Sequence, residues 1–183
     1  MMIKPDIIRP FRTKSEFYEE TESLKEYFKS KRIDRSPFFL NLEEFDTILK
    51  WKLKRQYHRQ KFARSEKLTK EIVEKVTELA LNISHPNKDY EIDLRINSLS
   101  IIWGVNTAVA SAVLALCFPE QFAVIDFRVW RQIFSTDKRS FSVNDYKKYL
   151  KEIQKLSEKL GWKPQEVDLA IWAYDEEKTS KKT

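Results

Sequence analysis

Glycine is almost missing from this chain. Of 183 residues only Gly104 and Gly161 lack a side chain, so each position calls for a local reason. Cysteine is scarcer still. The single Cys117 sits in an apolar stretch, which excludes a disulfide framework and any site built from several thiolates, a four-cysteine iron–sulfur cluster included. A reducing compartment fits that usage. Histidine is limited to His58 and His85, too isolated in sequence to suggest a metal site, and no metal or cofactor is expected. Long hydrophobic runs are also lacking: the longest, Ala108 to Phe118, covers only ~16 Å as a helix at ~1.5 Å per residue. The opening "MMIKPDIIRPFRTK" carries charges where a signal peptide needs an apolar stretch. The expectation is a soluble, cytoplasmic protein with no membrane partner. Strand patterns, internal repeats and low-complexity segments are absent as well, apart from the polar tail "EEKTSKKT".

What the chain does contain is enough apolar material for one sizeable core. Hydrophobic residues make up 42% and aromatics 13%, consistent with a single domain over residues 1–183. Charge is concentrated. Residues 50–67, "KWKLKRQYHRQKFARSEK", hold eight Lys or Arg against one Glu, a local balance of +7 in a chain whose total is +6. Cations interleaved with Trp51, Tyr57 and Phe62 suit a polyanion, because the cations neutralise phosphates and aromatic faces stack on bases. The plainer alternative is a solvated helix face and loop.

Helix signals recur along the whole length. Thr13 with Glu16 reads as a capping box for a helix presenting Phe17, Leu24 and Phe28. Asn41 with Glu44 opens the next, flanked by Leu40 and Phe45 at staple positions, and Ile48, Leu49 and Trp51 continue its apolar side. Ser65 is placed to cap a third helix with the stripe Leu68, Ile72, Val76 and Leu79, which "SHPNKD" at 84–89 ends. A fourth covers roughly 90–99. A fifth runs from about Asn106 to Phe118, where Pro119 stops it. A short helix after Asp126 contains Val129, Trp130 and Ile133. Ser142 with Asp145 opens a long helix that Gly161 terminates, and Pro164 starts the last. Trp130, Trp162 and Trp172 fall where core residues are expected.

Gly104 stands between two of these helices, and two readings apply. It supplies a positive φ in a tight connection, or it forms part of a hairpin whose backbone N–H groups and second-helix N-terminus hold a phosphate. The stretch "SLSIIWGVNTAVASAVLALCFPEQFAVIDFRVW" resembles the helix-hairpin-helix DNA glycosylases of the endonuclease III type. In that family a turn of pattern h-x-G-x-G precedes an Ala-rich helix, and an Asp follows about twenty residues on. Gly104 matches the second glycine, Thr107 and Ala108 match the small residues opening the helix, and "VIDFRVW" matches the Asp segment. Ile102 occupies the first glycine position. Asn106 stands where bifunctional members carry a nucleophilic Lys, so no amine is available there for a Schiff base; Asn106 reads instead as a helix cap. The resemblance covers residues 90–131. The pattern "FLNLEEFDTILKWK … WGVNTAVASAVL … VIDFRVW" is also similar to a group of uncharacterised bacterial helical proteins, which supplies a relative without a function.

The resemblance implies an all-α, helix-hairpin-helix DNA-glycosylase-like domain that binds DNA and, as a monofunctional enzyme, hydrolyses the N-glycosidic bond of a damaged base. Asp126 is then the catalytic residue: an ionised carboxylate beneath the sugar stabilises the positive charge that develops as the bond breaks, or orients a water. The N-terminal dipole of the following helix favours its negative charge. The competing reading makes Asp126 only an N-cap, and both can hold together. Candidate DNA contacts are Trp103, Gly104, Asn106 and Thr107 in the hairpin, Lys52, Lys54, Arg55 and Arg59 in the basic segment, and Arg128, which stands two residues after Asp126 to pair with it or with a phosphate. Lys52 is also an alternative amine should the basic segment face the cleft. Trp103 either inserts between bases or packs on a neighbouring helix. The alternatives to the enzyme are a non-catalytic nucleic-acid-binding module and a helical protein-interaction subunit whose basic face meets an acidic protein.

Overall fold

The most apolar run of the sequence becomes its most enclosed helix. Every residue from Val109 to Cys117 is buried, and the helix they occupy, Thr107–Cys117, packs against four others. A helix that is hydrophobic all round has no solvent face to offer, so the remaining elements must surround it. In the computed structural model, which describes residues 3–60 and 66–180 with the side chains of Arg55 and Gln60 excepted, they do. The helices are α1 (Pro5–Ile8), α2 (Tyr18–Asp34), α3 (Leu42–Leu53), α4 (Lys70–Asn82), α5 (Lys88–Leu99), α6 (Thr107–Cys117), α7 (Phe127–Phe134), α8 (Val143–Leu160) and α9 (Pro164–Ser180), with 3₁₀ turns at Arg9–Phe11 and Lys54–Gln60. No strand occurs among the described residues. The class is all-α. Helices α2, α3, α5 and α8 contact α6, α4 pairs with α5, and α9 packs on α7 and α8.

Local signals account for most helix ends. Asn41 and Glu44 form a reciprocal capping box at α3, with Leu40 and Phe45 buried beside it, and Ser142 with Asp145 does the same at α8. Asn106 caps α6 by accepting the Val109 N–H at 3.0 Å. Gly161 ends α8 in the left-handed conformation, φ +68°. Pro164 opens α9. No helix is long and apolar enough to cross a membrane among the described residues.

Two expectations fail. The Thr13–Glu16 box does not form: α2 begins at Tyr18, and the Ser15 hydroxyl accepts the Phe17 N–H at 3.2 Å in a turn before the helix. A short hydroxyl side chain satisfies such a turn as readily as a cap. The third-helix stripe is also displaced. Thr69 caps α4, whereas Ser65 lies outside the described residues. The face that α4 turns inward is Val73, Thr77, Ala80 and Leu81, leaving Ile72 and Leu79 exposed. Thr77 decides the matter: its hydroxyl accepts the Leu40 N–H at 3.0 Å and donates to Val73 O at 2.7 Å, so a polar residue completes the chain entering α3.

Candidate functional site

Between α6 and α7 the chain crosses the core without helix or strand, and residues Phe122 to Ile125 are all buried. Buried backbone without secondary structure must find hydrogen-bond partners elsewhere. Here side chains provide them. Tyr146 donates to Ala123 O at 3.0 Å and Tyr149 to Val124 O at 2.8 Å, both from α8. Asp168 of α9 accepts the Val124 N–H at 2.6 Å, and Ser111 of α6 accepts the Ile125 N–H at 3.1 Å. Three helices therefore hold this segment by its main chain and fix the position of Asp126 at its end.

Asp126 caps α7: Oδ1 accepts the Arg128 N–H at 3.0 Å. Its second oxygen, Oδ2, meets Lys52 Nζ at 3.3 Å, and the same ammonium lies 3.3 Å from Ile125 O. The pair is largely enclosed, with side-chain exposures of 12% for Lys52 and 23% for Asp126. The basic segment thus does reach the Asp126 cleft, through the last turn of α3. Beside the pair lies a cavity of about 100 Å³ whose lining includes Phe17, Trp51 and Trp172 together with Lys54 and Asp168. Phe17 and Trp172 meet edge to face at 5.2 Å.

Asp168 was not among the candidates from sequence. It stands alone among apolar neighbours in "EVDLAI" and is buried at 5% exposure. Burial, reinforced by the Asp126 charge, keeps its carboxyl well above the usual range against the opposing Val124 hydrogen bond and the charges of Lys52 and Lys25. A polar residue interrupting the inward face of an apolar helix was the only signal available. Its partner, 44 residues away in the chain, could not be read from it.

The hairpin has the expected outline. Helix α5 ends at Leu99, the turn contains Trp103 and Gly104, both solvent-exposed, and α6 begins at Thr107. Gly104 has φ +80°, and a Cβ added there would meet nothing within 4 Å. Backbone conformation, and not internal crowding, is what favours glycine at this position. Trp103 is 37% exposed and does not join the core; Lys67 Nζ sits 4.7 Å from its ring centroid. Ile101 beside it is 66% exposed. Thr107, by contrast, is buried, while Asn106 before it is exposed and Ala108 after it is half-buried.

The basic segment is partly committed to the protein's own groups. Lys54 pairs with Glu20 at 2.5 Å and lies over the Phe17 ring at 4.2 Å. Trp51 donates its indole N–H to Thr21 at 3.1 Å and Tyr57 its hydroxyl to Asp46 at 2.5 Å, and both rings are buried. Neither is a base-stacking surface; hydrophobic burial takes precedence over the charge of neighbouring residues. Phe62 and the Arg55 side chain lie outside the described residues, and Arg59 is exposed. Arg128 does not pair with Asp126. Its guanidinium lies 3.3 Å from Asp175 and 5.2 Å from the centroid of the Trp172 ring.

Asp175, 1% exposed, also receives Arg131 Nε at 2.6 Å and Gln132 Nε2 at 2.6 Å, which ties α9 to α7. Burial raises its carboxyl, but these donors outweigh that effect and hold it below the usual range. A larger concavity of about 750 Å³ beside this network includes Lys4, Asp137 and Lys178, but neither Asp126 nor Lys52. Its most enclosed charges, Arg131 and Asp175, neutralise each other. No group of three or more His, Cys, Asp or Glu suited to a metal occurs among the described residues. Burial pushes the Cys117 thiol up, so it is no nucleophile.

No family model, curated protein or solved structure matches the chain.

Proposed function

We propose that the protein binds DNA and hydrolyses the N-glycosidic bond of a damaged base, with Asp126 as the residue that opposes charge on the sugar. The observation that carries this reading is the placement of a partly exposed carboxylate at a helix N-terminus, in a cavity with aromatic walls, beside the cationic end of α3. A target nucleotide extruded from the duplex brings its sugar to such a carboxylate. As the bond to the base stretches, positive charge grows on the sugar, and a fixed negative group in a low-dielectric pocket stabilises it more than water does. The hairpin supplies Gly104 and the N-terminus of α6 to a phosphate, with Lys67 and Arg59 available for further neutralisation. Asn106 is occupied as a cap and offers no amine, so at this position the reaction is hydrolysis without strand scission, and a Schiff-base route would have to use Lys52 beside Asp126.

A second reading has its own support. In the free protein both oxygens of Asp126 are engaged, one as a cap and one by Lys52. That is the arrangement expected if the residue is purely structural, in a binding module without chemistry.

A panel of lesion-containing duplexes, each followed by alkali, separates the two. Base release from at least one duplex, abolished in Asp126→Asn with DNA affinity retained, supports the enzyme. A folded, DNA-binding preparation that releases no base leaves the binding module.

A further inference from the structure

We infer that Asp168 is the proton donor to the departing base, a role that rests on the glycosylase reading above and adds a second carboxyl to it. Asp168 lines the same cavity as Asp126 and Lys52, and does so from a different helix, the inward face of α9. Its orientation is fixed, because Oδ2 accepts the Val124 N–H at 2.6 Å. Among the described residues no hydrogen bond engages Oδ1.

The groups facing Asp168 come from every side. Lys52 approaches from α3, Lys25 from α2, Asp126 from the start of α7, and the Tyr146 and Tyr149 hydroxyls from α8. Both cations have closer partners: Lys52 contacts Asp126 at 3.3 Å, and Lys25 contacts Glu22. The two tyrosine hydroxyls donate to backbone carbonyls. Two carboxyl groups therefore share a pocket in which the nearest cation is spent on one of them. The more enclosed of the two, Asp168, has its carboxyl held well above the usual range by burial, which favours its protonated form; the other, Asp126, is capped and ion-paired. Environments that separate two neighbouring carboxyls in this way define an acid and a charge stabiliser.

The chemistry balances with one water. The bond between the sugar C1′ and the base nitrogen breaks, its electron pair goes to the base, and the Asp168 proton moves onto the base, which leaves neutral. Asp126 opposes the positive charge left on the sugar. The oxygen of a water then joins C1′, and its proton returns to Asp168, restoring the acid.

The test compares wild type with Asp168→Asn, Asp168→Glu and Asp126→Asn in single-turnover base release from pH 5 to 9, on whichever lesion duplex the wild type processes. Infrared spectra of the free wild type and Asp168→Asn at pH 7 are recorded alongside for the carbonyl stretch of a protonated carboxylic acid. The asparagine amide keeps an acceptor for the Val124 N–H. Its expected effect is a rate loss of about 10²-fold or more, with disappearance of the alkaline limb of the pH profile and of the infrared band. Asp168→Glu recovers part of the rate. An unchanged rate in Asp168→Asn overturns the proposal, as does a wild-type spectrum without the band. A rate loss that keeps the pH profile unaltered and follows lost folding, monitored by melting, marks Asp168 as structural only and also overturns it. If the wild type releases no base from any duplex, the glycosylase reading falls and the donor role with it. The infrared band then still reports whether the buried carboxyl is protonated.

Discussion

Replacing Asp168 by Asn should stabilise the protein, and increasingly so as pH rises. Asp168 is buried, and its carboxyl lies well above the ordinary range chiefly because burial penalises the charge. In the unfolded chain it ionises near the ordinary value of about 4. The folded state therefore binds more protons than the unfolded state between that value and the raised folded one, and stability must fall as pH rises through this window. The contribution is fully present below the unfolded value and is lost toward the folded one. Asparagine never titrates, so the free energy of unfolding of wild type minus that of Asp168→Asn should fall by about 1.4 kcal/mol per pH unit from pH 4.5 or so upward. The slope levels off where the folded carboxyl itself ionises. Urea denaturation of both proteins between pH 4 and 8, with the denaturant slope checked for constancy, measures the difference directly. A flat difference, or one that rises with pH, would show Asp168 to be ionised in the folded state through Lys52 and would refute the argument.

Asp175 has the opposite linkage: its folded carboxyl is lowered, so its contribution is present above the unfolded value and lost as pH falls, and Asp175→Ala should cost about 2–3 kcal/mol at pH 7 in urea melts because Arg128 and Arg131 lose their enclosed partner. At Gly104 a Cβ meets nothing but the backbone has φ +80°, so Gly104→Ala should cost about 1–2 kcal/mol and Gly104→Asn less; equal losses in thermal melts would contradict a purely conformational origin. A double-mutant cycle of Lys52→Met with Asp126→Asn should give a coupling of about 0.5–1.5 kcal/mol, since the pair is neither fully exposed nor fully dry. DNA affinity should fall steeply with salt, and replacing Lys54, Arg55 and Arg59 together by Ala should flatten the dependence; an unaltered slope would mark the basic segment as a solvated surface.

The parts of the fold that were legible in the sequence obey rules spanning three or four residues. Asn41 with Glu44, Ser142 with Asp145, Asn106 and Gly161 all sit at the helix ends their side chains suggest, because a cap needs only the neighbouring N–H groups. The inward face of α4 was not legible. Leu68, Ile72, Val76 and Leu79 form an acceptable stripe, yet the buried set is rotated from it, and a threonine takes the central place because it completes the backbone before α3. The site was legible only in part, for a similar reason. Lys52 and Asp126 lie 74 residues apart, and Asp168, which lines the same cavity, is 44 residues from the Val124 N–H it accepts across the core. The charge of residues 50–67 indicated a surface, but could not say that Tyr57 would turn inward with Trp51 while Lys52 turned toward Asp126.

That turn inward gives α3 two roles at once. Its buried side, Phe45, Ile48, Leu49 and Trp51, holds the helix against the core, and Lys52 at its end bridges the basic segment and the Asp126 pocket. On the glycosylase reading, the Lys52 ammonium offsets the negative charge of Asp126 in the free protein and is a cation that would attract a phosphate of an extruded nucleotide. A phosphate competing for that ammonium would weaken its hold on Oδ2 and leave the carboxylate to act on the sugar, while the Arg128 N–H continues to anchor Oδ1. The same ion pair that supports a structural role in the free protein is therefore also what would couple DNA binding to the availability of Asp126. The difference between the two readings lies in whether bound DNA changes the partner of Lys52.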